Sequence, residues 1–262
     1  MKILCPTDLT LAADIALTHA GHLASRTKAS ITLFHVLTKE EVAKGGNVQM
    51  SEHGANLEDL EKQNIKVEKL QREGATLKQI ASESANGYKL VIAGTHGVQG
   101  LRQTMFGSDM LKMVRDSAVP TLVMQSFTAR APFTGRIVMP VAPHDNIRPL
   151  LEAVCLLAKA YGSEVDVYQI LKEGEHSSNT LLKNKQQMLQ HLDKEGVKHR
   201  EVNEPVAKFY EGYAERTIYH AHTIGAGCIA IMARSSGEHK KIADDEKQEI
   251  LVNKYGIPVL CA

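Results

Sequence analysis

The chain is written twice. Residues 3–36 lie over residues 137–170 at a constant offset of 134 with no gap: KILCPTDLT opens one copy and RIVMPVAPH the other, with Ile3 on Ile137 and Val36 on Ile170. The ends of the copies match as well. SAVPTLVMQ lies over YGIPVLCA with Pro120 on Pro258, an offset of 138, and KLVIAGTHG lies over CIAIMARSSG in apolar pattern. A repeat of this length means that each copy folds as a unit of its own. We expect units at residues 1–127 and 134–262, joined by QSFTARAPFTG at 125–135. A chain of 262 residues divided this way gives two domains of ordinary size, each able to bury a core.

Within the first copy the apolar runs are short and uninterrupted: ILCP, SITLFHVL, IKVEKLQ, KLVIAG and TLVMQ. Runs of this kind predict strands covered on both faces. Helical stretches separate them. Thr10 can cap a helix in which Ala13, Ala16, Leu17, Ala20, Leu23 and Ala24 share a face, and the second copy repeats that face as Ile147, Leu150, Leu151, Val154, Leu157 and Ala158. Strands alternating with helices imply right-handed βαβ units and a parallel sheet. Each copy is therefore expected to be an α/β, doubly wound, five-stranded domain. The charged segments 38–64 and 172–196 read as partly helical connections, and HSSNTLLKNKQQMLQHLDKE as a solvated amphipathic helix.

Composition excludes several classes of partner. The formal charge is +1, so no long-range field draws the chain to nucleic acid or an anionic membrane, and no apolar run approaches a membrane span. The four cysteines, Cys5, Cys155, Cys228 and Cys261, form no CxxC pair and sit in apolar runs. They are expected to be buried reduced thiols, which, with an apolar stretch in MKILCPTD too short for a signal peptide, favours a cytoplasmic setting. His19 and His22 share a helical face, and His220 and His222 flank Ala221, but neither pair has a third ligand by motif, so no metal site is expected. The nine methionines read as core filler.

Open parallel sheets take ligands beyond the carboxyl ends of their strands, where strand order reverses. Pro6, Thr7 and Asp8 end the first strand. After the fourth comes GTHGVQGLRQTMFGSD, with glycines at 94, 97, 100 and 107 and Ser108 at the start of another helix. A helix start offers unpaired N–H groups and a positive dipole end, and glycine lets an anion approach. This is a phosphate site in outline. The motifs GxxxxGK[ST] and, after the first strand, GxGxxG are both absent, which removes support for a P-loop NTPase or a dinucleotide dehydrogenase.

The pattern of Gly94, Gly97 and, after nine intervening residues, Gly107-Ser108 resembles the nucleotide-binding motif of the universal stress protein family. PTD before TLAADIALTHAGHLA, the strand ending LFHV and the last strand SAVPTLVM resemble that family too, end to end in the first copy and more weakly in the second. The whole chain is similar to the tandem type. That resemblance implies an adenine nucleotide alpha hydrolase-like fold with strand order 3-2-1-4-5 and two domains packed as an intramolecular pseudo-dimer, with further homodimer formation left open. It implies an ATP site formed by Pro6, Thr7, Asp8, Val36, Ala93, Gly94, Thr95, His96, Gly97, Gly107, Ser108 and Asp109. In that site Asp8 faces ribose or adenine, the Val36 main chain reads the adenine edge, Gly94 and Gly97 line ribose and phosphates, and Gly107 and Ser108 hold the phosphates. Asp109 departs from the usual apolar residue. It suits the helix dipole, while a side chain facing the triphosphate would weaken binding or require Mg²⁺ between.

The second copy lacks the motif. Asp8 falls on Ala142, Gly94 on Ala233, and Gly107-Ser108 on Asp245-Glu246, so this copy is expected not to hold ATP in the same way. The resemblance implies a regulatory stress-response protein that binds an adenine nucleotide and contacts a protein partner of its own. The rivals are an ATP-using enzyme, at most a slow ATPase, and a nucleotide-free scaffold. PTDLT is not the Ser/Gly-rich loop an adenylyl transferase uses, and no paired carboxylates, Ser-His-Asp or Cys-His set is legible, so no catalytic residue is assigned.

Overall fold

A computed structural model describes residues 1–50, 53–95, 107–174, 176–206, 212–234 and 240–262. The chain divides into two units, Met1–Pro132 and Phe133–Ala262. The first runs β1 (Lys2–Thr7), α1 (Leu11–Thr27), β2 (Ser30–Leu37), α2 (Lys39–Ala43), α3 (Gly54–Lys62), β3 (Val67–Glu73), α4 (Thr76–Ser84), β4 (Leu90–Thr95), α5 (Gly107–Asp116) and β5 (Thr121–Gln125). Its strands lie in the order β3-β2-β1-β4-β5, every pair parallel. This is the expected doubly wound fold.

Burial follows position in the sheet. β1, β2, β4 and β5 are buried almost throughout, as strands between two helical layers must be. β3 departs from the expectation of a strand covered on both faces: its residues VEKLQRE are half-buried or exposed because it is the sheet edge. Charge there discourages further strand pairing. The Thr10 side chain caps α1 by accepting from the Ala13 N–H, and Lys28, in a left-handed conformation, closes the helix with its N–H on Ala24 O. Ala13, Ala16, Leu17, Ala20, Leu23 and Ala24 are all buried.

The second unit repeats the plan: β6 (Ile137–Pro140), α6 (Arg148–Tyr161), β7 (Val165–Lys172), α7 (Asn179–Lys194), β8 (His199–Val206), α8 (Tyr213–Thr223), β9 (Cys228–Ile231), α9 (Lys240–Leu251) and β10 (Val259–Cys261). Its order is β8-β7-β6-β9-β10. α7 is the amphipathic helix the sequence announces, capped by Ser178 and burying Asn184, Met188 and Leu192 at four-residue spacing. All four cysteines are free and buried, and burial pushes the Cys5 and Cys228 thiols up to about 12.

One feature of this unit has no sequence signal. Asp166 of β7 is fully buried and takes both guanidinium arms of Arg200 at 2.8 and 2.9 Å, with Arg136 Nε at 3.2 Å and His220 Nε2 at 3.4 Å. Burial alone would raise this carboxyl, but the hydrogen bonds from His220 and Arg200 and the nearby Arg charges together hold it below the usual range.

Candidate functional site

The site begins where β1 leaves β4. These strands pair at Ile3↔Leu90 and Leu4↔Val91, whereas β1 stays on β2 as far as Thr7↔His35. Pro6, with no N–H to give a ladder, stands beyond the last β1–β4 pair. The second unit does the same: β6 meets β9 at Ile137↔Cys228 and Val138↔Ile229, and Pro140 follows. A crevice thus lies between the carboxyl ends of β1 and β4, at the point where strand order reverses.

The turn from β1 to α1 is strained and tied down. Leu9 has φ +65°, a left-handed conformation that costs a non-glycine residue about 1 kcal/mol or more. Three bonds hold it: Leu9 N–H donates to Thr7 Oγ1 at 2.9 Å, and Thr10 donates from its N–H, at 3.2 Å, and from its hydroxyl to Asp8 Oδ1. Thr10 is the helix cap, as expected, and the half-buried Asp8 braces it.

Gly94 sets the position of α1. A Cβ built on Gly94 would lie 2.3 Å from both C and O of Ala12 and 2.6 Å from Ala13 N, closer than real Cβ contacts allow. The end of β4 therefore touches the main chain of the first turn of α1, and the positive end of that helix borders the crevice. Ala93 and Thr95 of β4 are buried, and the Thr95 hydroxyl has no hydrogen-bond partner among the described residues. Val36 of β2 is buried, one residue past the last β1–β2 pair. His96 and Gly97 lie outside the described residues. Gly107 and Ser108 are the first residues of α5, whose side chains at these two positions are not among those described, and Asp109 is in its first turn.

Beside this turn runs a polar chain that sequence reasoning missed. The Thr7 hydroxyl meets His53 Nε2 at 2.6 Å, His53 Nδ1 meets Asp14 Oδ1 at 3.0 Å, and Asp14 also accepts from Asn56 at 2.6 Å and Arg130 at 2.7 Å. Burial pushes the Asp14 carboxyl up, but the bonds from His53, Arg130 and Asn56 outweigh it and hold it below the usual carboxylate range. The order hydroxyl, imidazole, carboxylate is that of a nucleophilic triad. Here, however, Thr7 is only 7% exposed and its oxygen also receives the Leu9 N–H, so the chain binds α3 and residue 130 to α1. Its members are 46 and 39 residues apart, which no local motif signals. Its neighbours behave alike. His19 and His22 donate to the carbonyls of Ala129 and Arg130 at 2.8 and 2.9 Å, fastening the segment after β5, and among the described residues no group of three or more His, Cys, Asp or Glu is placed to hold a metal ion.

Strand register corrects the comparison of the two units. Ile3↔Leu90 and Ile137↔Cys228 fix an offset of 138 for β4 against β9, so the counterpart of Gly94 is Met232 and not Ala233. The ends of α5 and α9, Asp116 and Leu251, are 135 apart, so Gly107-Ser108 correspond to Ile242-Ala243, while Asp245 and Glu246 lie in the second turn of α9 and not at its start. Three residues inserted before Pro258 caused the misalignment. Leu9 corresponds to Pro143, whose ring forbids a positive φ. α6 accordingly begins at Arg148, three residues later than the counterpart of Leu11, without a side-chain cap. With that turn gone, a methionine fits where the first unit requires glycine.

The universal stress protein family model matches residues 1–125. No curated protein sequence matches the chain. Among solved structures, a universal stress protein from Archaeoglobus fulgidus DSM 4304 matches with TM-score 0.72 and 18% identity over 100% of this chain and 97% of that one. A putative universal stress protein from Pseudomonas aeruginosa UCBPP-PA14 matches with TM-score 0.65 and 17% identity over 99% and 92%. At such identities the likeness is one of fold, and it extends over both units. No helix among the described residues is long and apolar enough to cross a membrane. Residues 1–125, nearly all of the first unit, thus match the universal stress protein family, and the chain shares its fold along its length with these structures.

Proposed function

We propose that the N-terminal unit binds ATP at the carboxyl ends of β1 and β4, and that the chain is a tandem universal stress protein with a regulatory rather than a dedicated catalytic role. The contact of Gly94 with Ala12 carries this reading, because it keeps the first turn of α1, the positive end of that helix, against the crevice at the strand switch point. In this reading Asp8 accepts from the ribose hydroxyls, and the Val36 main chain reads the adenine edge. Pro6, Thr7, Ala93, Gly94, Thr95, His96 and Gly97 form the walls. Gly107 and Ser108 at the start of α5 hold the phosphates, and Asp109 in the same turn would hold a Mg²⁺ ion that came with the nucleotide. The second unit carries Ala142, Met232 and Ala243 where the first has Asp8, Gly94 and Ser108, and it holds no nucleotide.

The test is to denature the purified protein, identify any released nucleotide, and titrate ATP into nucleotide-free protein. Released adenine nucleotide and saturable ATP binding that is lost in the double variant Gly107→Asp, Ser108→Glu support the assignment. Binding in that variant equal to the parent would refute the phosphate site.

A further inference from the structure

The second unit is not empty at the position where the first unit's site lies. Between the ends of β6 and β9 it has a cavity of about 210 Å³ walled mainly by apolar side chains, among them Ala142, Leu150, Met188, Ile231, Met232 and Ala243. Three of these occupy the positions of Asp8, Gly94 and Ser108. The residues suited to a ribose, a close main-chain approach and a phosphate have each become apolar.

The cavity wall is fixed. Asn184, 4% exposed on α7, donates from its amide to the carbonyls of both Ala142 and His144 at 2.9 Å, pinning the β6–α6 loop that replaces the strained turn of the first unit. The two charged side chains at the cavity bond within the protein. Glu246 Oε1 accepts the Tyr213 N–H at 3.1 Å, and Lys247, 8% exposed, donates to the Ala233 carbonyl at 3.4 Å. Burial, with the Lys247 charge nearby, lowers the His144 pKa to about 4, so its imidazole is neutral near pH 7. The remaining surface rewards apolar contact.

We infer that this cavity is a binding site for a compact, uncharged, mainly apolar molecule somewhat larger than benzene. Size sets the scale, since a dry engineered cavity of about 150 Å³ takes benzene. A triphosphate would face the carboxylate of Glu246 and apolar walls with no glycine-lined helix start to receive it. The inference concerns the second unit alone and stands whether or not the first binds ATP.

The experiment uses the intact chain with ¹³C-methyl methionine and indole as the probe, with ATP titrated separately into the same sample. Indole should shift the Met188 and Met232 methyl signals saturably, leave Met110 and Met113 of α5 unmoved, and persist in excess ATP. Filling the cavity with Ala142→Leu should weaken indole roughly tenfold or more while ATP binding is unchanged. If that variant loses its native methyl spectrum, Ala243→Leu serves in its place. Absence of saturable shifts at Met188 and Met232, indole binding unchanged in a folded filled variant, displacement by ATP, or tighter binding of benzoate than of indole would each overturn the assignment.

Discussion

A Cβ added to Gly94 would stand 2.3 Å from the carbonyl of Ala12, so the end of β4 and the first turn of α1 touch backbone to backbone. Glycine is required here for space, because no positive φ is recorded for it. Gly94→Ala must push α1 off β4, and overpacking of this kind costs about 1–3 kcal/mol. We expect that loss by chemical denaturation, with weaker ATP binding. Met232→Gly in the second unit, where no helical turn stands opposite, should leave ATP binding unchanged.

The chain from Thr7 through His53 to Asp14 is expected to hold α3. Asp14→Ala leaves His53, Asn56 and Arg130 without their shared acceptor, at a cost of roughly 1–3 kcal/mol. Amide hydrogen exchange over Gly54–Lys62 should accelerate more than exchange in β4. Because the folded Asp14 carboxyl is held below its ordinary range, its contribution is present above that range and lost as pH falls through the folded pKa. Parent and variant should therefore converge in acid. Unchanged α3 exchange would exclude the anchoring role.

His19 makes the first unit sensitive to mild acid. Burial lowers its pKa from 6.5 to about 4; its Nε2–H donates to Ala129 O while its Nδ1 is buried with no partner among the described residues. The unfolded chain takes up the proton first as pH falls, so stability is full above about 6.5 and declines toward 4. His19→Gln keeps a donor for Ala129 and removes the titration. It should flatten the decline over that window by on the order of 3 kcal/mol, read by urea denaturation followed through the Met110 and Met113 methyl signals. A slope equal to the parent's would contradict the assignment.

The fold was legible because repetition and apolar periodicity are properties of the whole chain. Two copies of five short strands interleaved with helices, Thr10 as a cap and the buried cysteines all follow from local pattern. What stayed hidden depends on register. The sequence pairs Gly94 with Ala233 because both follow an apolar run, but hydrogen-bonded partners across the sheet put Met232 there. Likewise Asp245-Glu246 are read as a helix start until the longer segment before Pro258 moves them into the second turn of α9. The buried Asp166 and the Thr7–His53–Asp14 chain unite residues tens of positions apart, and only the folded chain brings them together.

One adenine-nucleotide site per chain, in the first unit, is expected. Calorimetric titration of ATP into nucleotide-free, full-length protein tests it most directly, with Asp8→Ala alongside. We expect one ATP per chain, and an affinity lowered at least about tenfold by Asp8→Ala through loss of a charge-assisted hydrogen bond. Two ATP per chain, or one ATP bound equally well by Asp8→Ala, would contradict it.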